Sequence, residues 1–165
     1  ARMNSTLNQL DLSEEQLAQI CTSRRWQQLM QAAMPFESAA VLKNAADAAF
    51  AQLDEADWLE AFAGHPMIGD MASLEKKYAQ GKALSAKEQG QVQLASNETL
   101  QELLVLNQQY RAKFSFIFIV CATNKSADDM LGLLKARIHR TYQQELQQAA
   151  IEQQKISHIR MEAYL

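Results

Sequence analysis

The chain has 165 residues, enough for one domain with a real core. Apolar residues make up 48% and charged residues 21%, which excludes a disordered chain. A formal net charge of −3 argues against a nucleic-acid partner, which needs a clustered excess of Lys and Arg, but leaves room for a small anionic substrate held by one or two placed cations.

Glycine and proline number only 5 and 2, so the sequence predicts long helices with few breaks. The first helix opens at Ser13, whose side chain and Gln16 three residues on form a capping-box pattern. Leu17, Ile20 and Cys21 follow as an apolar stripe. A second helix carries Trp26, Leu29, Met30 and Met34 and stops before Pro35. Ser38 opens a third, with Leu42, Ala45, Ala46, Ala49, Phe50 and Leu53 on one face, and a short helix around Ala56 to Phe62 ends at Gly64. The stretch Gly64 to Gly69 then breaks the pattern, holding two of the five glycines and one of the two prolines, which specifies a loop backbone.

Beyond the loop, Asp70 or Ser73 caps a helix with Leu74 and Tyr78 that ends at Gly81, and Ser85-Ala86-Lys87-Glu88 is a second capping-box pattern. A long helix follows, with a break near Ala95 to Asn97 and Leu100, Leu103, Leu104 and Tyr110 on its buried face. Phe114 to Ala122 is aromatic and β-branched and prefers extended backbone, yet has no strand partner in a helical chain. Its amides need other partners, and a ligand is one option. Ser126 opens a helix through about Glu145, with Met130, Leu133, Leu134 and Ile138 inside, and a last helix carries Ile151, Ile156, Ile159 and Met161. The expected architecture is all-α, a single-domain helical bundle over residues 1–165 with one extended active-site segment. Ala1-Arg2 ahead of Met3 reads as an expression remnant.

No segment has the length and hydrophobicity to span a membrane, and the polar start shows no signal peptide. Cys21 and Cys121 lie in apolar surroundings without a spaced Cys/His cluster and read as reduced thiols of a cytoplasmic protein. Metal ligation finds no support, because the three histidines show no ligand spacing.

Among these histidines, His139 and His158 sit in charged helical stretches and read as surface residues. His65 stands between Gly64 and Pro66, where a restricted backbone holds the ring in one orientation. Its ordinary titration near neutrality suits proton transfer, with a structural histidine as the alternative. Glu88 completes a capping box or, with Ser85 and Gln89, faces a pocket at a helix start whose amides favour an anion. Arg160 is a surface or helix-end arginine or a guanidinium that grips a carboxylate. Cys121, with no base nearby in sequence, reads as a buried inert thiol.

The pieces resemble a known family in order along nearly the whole chain. His65-Pro66-Met67-Ile68-Gly69-Asp70 resembles the HPxIG signature of the OHCU decarboxylases, which act on 2-oxo-4-hydroxy-4-carboxy-5-ureidoimidazoline. Cys21 to Trp26 and Met34-Pro35-Phe36 look like that family's early helices, and Ser85 to Gln89 matches its SxxEQ segment. Leu106 to Phe114 is similar to LNxxYxxKF, and Glu152 to Arg160 to ExxKIxxxR. The resemblance implies an all-helical, cofactor-free carboxy-lyase of urate breakdown that yields (S)-allantoin. It implies His65 as catalytic acid/base, with Glu88 beside it in chemistry or in binding. Pro66, Ser85, Glu88, Gln89 and the backbone of Ile117, Phe118, Ile119, Val120 and Cys121 would line the substrate, and Arg160 would hold an anionic group. All of them are expected around one small pocket. Relatives are often dimers, so a homodimer stays open. Ser115 departs from the family, which usually has glycine there. Two rivals stay open as well: a helical interaction module without chemistry, and a different decarboxylase or hydrolase acting on another ureide ring.

Overall fold

The computed structural model describes residues 10–67, 71, 72, 76 and 96–165. Among the described residues lie seven helices: α1 (Glu14–Ile20), α2 (Arg24–Ala33), α3 (Ala39–Ala51), α4 (Glu55–Ala63), α5 (Asn97–Phe114), α6 (Ala127–Arg137) and α7 (Tyr142–Glu162). The one β feature among them is an isolated antiparallel bridge between Leu10 and Phe36. The all-α expectation is therefore met. The chain divides into two compact units, residues 1–65 with 148–165, and residues 66–147.

In the first unit the helix starts are set by short polar side chains. Ser13 and Gln16 form the expected capping box of α1, and Ser23 and Ser38 cap α2 and α3. Asp54 and Asp57 form a further box on α4, with two acidic residues in the first turn where the helix dipole favours them. The chain passes Met34-Pro35 through a cis peptide. The core gathers Leu17, Ile20, Trp26, Met30, Phe36, Leu42, Phe50 and Phe62, each no more than 2% exposed. Trp26, Phe50, Trp58 and Phe62 stack in series at 5.2, 5.6 and 6.1 Å between centroids. The buried Trp26 indole donates to the Ala46 carbonyl, so its polar edge is not stranded.

In the second unit Ser96 caps α5, and the part of the expected long helix before it lies outside the described residues. Leu100, Leu103, Tyr110 and Phe114 line its buried face. Phe114 belongs to the helix and not to the extended run, because the helix stops only where Ser115 turns left-handed at φ 65°. Residues 117–122 then run without regular structure, with Ile119 and Cys121 buried along with Phe116 just before them. The Ser126–Asp129 box opens α6.

The last two helices differ from expectation. The helix from Ser126 ends at Arg137, not near Glu145, and α7 begins at Tyr142. The reason is a local cap: Thr141 Oγ1 accepts from the Gln144 amide, and Gln144 Oε1 accepts from the Thr141 amide. The buried residues of α7 also differ. Ile151 and Ile159 are about half exposed, whereas Glu145, Ala149, Gln153, Ser157 and Met161, at four-residue spacing, are 0% exposed. The buried stripe is largely polar, which hides it from a search for apolar periodicity. The expected helix with Leu74 and Tyr78 lies outside the described residues, although Met71, Ala72 and Lys76 are helical.

Candidate active site

His65 follows directly on α4. Its amide donates to the Phe62 carbonyl at 3.2 Å, and the Gly64 amide to the Ala61 carbonyl at 3.3 Å, so the ring leaves the last turn of the helix. Thr22 holds that turn from the side: its hydroxyl contacts the Glu60 and Ala61 carbonyls at 3.0 and 3.1 Å. Gly64 lies so close to Thr22 that an added Cβ would sit 2.1 Å from Thr22 Oγ1.

The half-buried imidazole contacts two residues of α7. Nε2 is 2.5 Å from Gln153 Oε1, and Nδ1 is 3.5 Å from Arg160 Nη2. Gln153 is fully buried and donates through Nε2 to Ser157 Oγ at 3.0 Å, and Ser157 donates to the Ile20 carbonyl at 2.8 Å. Arg160 Nη1 reaches the Gln19 and Ile20 carbonyls at the C-terminal end of α1, at 3.0 and 3.5 Å. The guanidinium is thus anchored at one edge and presents the other toward the ring. Burial holds the imidazole below its ordinary value of 6.5, the Arg160 cation adds to that depression, and the bond to Gln153 opposes it. A neutral ring next to a fixed cation can take up a proton and can face an anion.

Of the residues expected at the site, His65 and Arg160 are brought together within the first unit. Ser85, Glu88 and Gln89 lie outside the described residues. Pro66 and the 117–121 segment belong to the second unit. There the Arg137 guanidinium sits 4.5 Å over the Phe118 ring and donates from Nη1 to the Ile119 carbonyl at 2.8 Å. Glu145 receives Arg137 Nε at 2.8 Å, the Tyr110 hydroxyl at 2.6 Å and Arg140 Nη1 at 3.1 Å. Burial and the bond to Glu145 push the Tyr110 phenol up, so it stays a donor. This buried ion cluster fixes the path of the extended segment.

The sequence reading missed Gln153, Ser157, Arg137 and Glu145. Gln153 is one of six glutamines between Gln143 and Gln154, and only its buried surroundings single it out. A four-residue spacing from Glu145 to Ser157 was the available signal.

The remaining candidates resolve simply. Cys21 and Cys121 are buried thiols outside any disulfide, and burial pushes Cys21 up to about 11, away from the reactive thiolate. His139 is exposed, while His158 Nε2 lies 2.6 Å from Asp47. Among the described residues no three His, Cys, Asp or Glu side chains group as a metal site. No described helix is long and apolar enough to cross a membrane. A cavity of about 610 Å³ lined by Asp47, Ile151, Gln154, Lys155, His158 and Ile159 includes neither His65 nor Arg160 and is a surface groove.

The result is a helical protein in which a half-buried imidazole stands 3.5 Å from an anchored guanidinium, a pair able to take up a proton and face an anion. The family model for OHCU decarboxylase matches residues 8–162. The chain is 34% identical over 152 residues to the Uric acid degradation bifunctional protein TTL of Arabidopsis thaliana, covering 92% of this chain and 47% of that protein. It is 35% identical over 79 residues to the 2-oxo-4-hydroxy-4-carboxy-5-ureidoimidazoline decarboxylase of Xenopus laevis, covering 47% of this chain and 45% of that one. The chain thus spans less than half the length of these curated relatives. A crystal structure of OHCU decarboxylase in the presence of (S)-allantoin superposes with a TM-score of 0.73 at 32% identity, covering 92% of this chain and 97% of the other. The chain belongs to the OHCU decarboxylase family.

Proposed function

We propose that this chain decarboxylates 2-oxo-4-hydroxy-4-carboxy-5-ureidoimidazoline to (S)-allantoin in the cytoplasm, with His65 as its acid/base. The names of its relatives give the substrate class. The observation that carries the reading is the His65–Arg160 pair, an imidazole nitrogen 3.5 Å from an anchored guanidinium. In this substrate the carboxylate stands on a carbon next to a C=N bond. When CO2 departs, the electron pair of the broken C–C bond moves into that imine, so the step needs no other electron sink. What remains for the protein is orientation and one directed proton. Arg160 holds the anionic group, and His65 manages the proton on one face so that a single enantiomer forms. Ser85, Glu88, Gln89, Pro66 and the backbone of residues 117–121 carry substrate contacts in the same reading, by resemblance to the family. Two buried cysteines outside any disulfide suit the reducing cytoplasm.

The test is turnover of freshly generated substrate, followed by circular dichroism of the product. Because the substrate also decays spontaneously, the decisive signal is a faster and enantioselective reaction. The His65→Asn variant is expected to keep its fold and lose stereoselective turnover. Near-normal turnover in that variant, or no acceleration by the wild type, overturns the proposal.

A further inference from the structure

We infer that Gln153, backed by Ser157, is a positioning residue that fixes the neutral His65 ring with its proton on Nε2 and its lone pair on Nδ1. The inference deepens the proposed reaction and rests on His65 being its working group. It follows from the order of donors along one chain of contacts. The Ile20 carbonyl can only accept, so the Ser157 hydroxyl proton, 2.8 Å away, is committed to it. Ser157 Oγ then accepts from Gln153 at 3.0 Å, which turns the amide nitrogen toward Ser157. The atom left facing His65 is Oε1, at 2.5 Å, and it too can only accept. Nε2 must therefore carry a proton. A neutral imidazole has one, so Nδ1 is bare.

The other side of the ring agrees. Nδ1 faces Arg160 Nη2 at 3.5 Å, a permanent cation that disfavours a second ring proton. Gln153 and Ser157 are both 0% exposed, so water does not compete for these bonds. The backing hydroxyl keeps the amide from turning over. The ring nitrogen left with its lone pair is then Nδ1, which faces the guanidinium that holds the anion in the proposed reaction. Proton traffic runs through Nδ1, while Nε2–H stays with Gln153 and steadies the imidazolium when it forms.

Long-range proton–nitrogen NMR of the full chain with 15N-labelled histidine tests this without substrate, His65 being identified by its loss in His65→Asn. Wild-type His65 is expected as a single Nε2–H tautomer with that proton shielded from water exchange. Gln153→Leu should expose the proton to exchange and move the ring's titration midpoint down. Gln153→Glu, placing a carboxylate on Nε2, should move the midpoint up. In turnover, Gln153→Leu should lower kcat roughly 10- to 100-fold while KM changes far less, because orientation is lost and anion binding is kept. If Gln153→Leu fails to fold, Ser157→Ala reads the same effect, since it frees the amide to flip and should yield a mixture of tautomers. A wild-type ring protonated on Nδ1, or midpoints unmoved in both Gln153 variants, overturns the inference. A silent turnover assay with the expected NMR result overturns the proposed reaction instead and leaves the tautomer standing.

Discussion

Gly64 shows how a single residue places the histidine next to it. Its backbone is ordinary, so the demand is for space. A Cβ there would lie 2.1 Å from Thr22 Oγ1 and 2.3 Å from Thr22 Cγ2, well inside contact distance. Thr22 cannot easily turn away, since its hydroxyl holds the Glu60 and Ala61 carbonyls at the end of α4. Gly64→Ala is therefore expected to destabilise the protein by about 1–3 kcal/mol, as overpacking does, and to displace the His65 ring. Urea unfolding measures the first effect and the His65 NMR signals the second. A variant with unchanged stability and unchanged His65 signals would refute the crowding argument. The loop was legible from its glycine and proline, yet the reason for the glycine lay on another helix. Gln153 was illegible for a different cause: burial of one glutamine among many is a property of the fold and not of its neighbours in sequence.

At the scale of elements, N-cap serines made three of the seven described helix starts legible: Ser13, Ser38 and Ser126 all open helices as expected. Thr141 with Gln144 carried the same signal, and it was lost inside a long polar stretch, so two helices were misdivided. Helix α7 misled a reading by hydrophobicity because its buried face is Glu145, Gln153 and Ser157, each with partners. The end of α5 was flagged by a departure from the family pattern. Ser115 there takes φ 65° and ψ 14°, with its amide still bonded to the Arg111 carbonyl at 2.8 Å. That is the left-handed end that glycine serves at no steric cost. Ser115 is exposed, so its side chain gives up little packing. Ser115→Gly is expected to raise stability by roughly 0.5–1 kcal/mol, the relief of the left-handed conformation offset by the looser unfolded chain. Thermal unfolding reads the gain, and a loss of stability would show that the hydroxyl holds this turn.

Across the whole molecule, the burial that lowers the His65 titration ties folding to pH. Its folded-state value lies below the 6.5 of an ordinary histidine, burial being the main cause and Arg160 the second. The unfolded chain therefore binds the proton first as pH falls. Between 6.5 and the lower folded value the unfolded state carries more protons than the native state, so stability drops with falling pH in that window. Above about pH 7 the ring is largely neutral in both states and contributes little slope. His65→Asn removes the titrating group while keeping a polar side chain of similar reach. Urea midpoints of wild type and His65→Asn should run parallel from pH 8 to about 7 and then part, the wild type losing stability faster toward pH 5. Turnover should fall at lower pH, as the pH drops through the folded-state value, since protonation of the native ring fills the lone pair that the proposed reaction uses. If the two stability curves stay parallel down to pH 5, the ring is not held neutral by burial, and neutral pH would not supply the base that the proposed reaction needs.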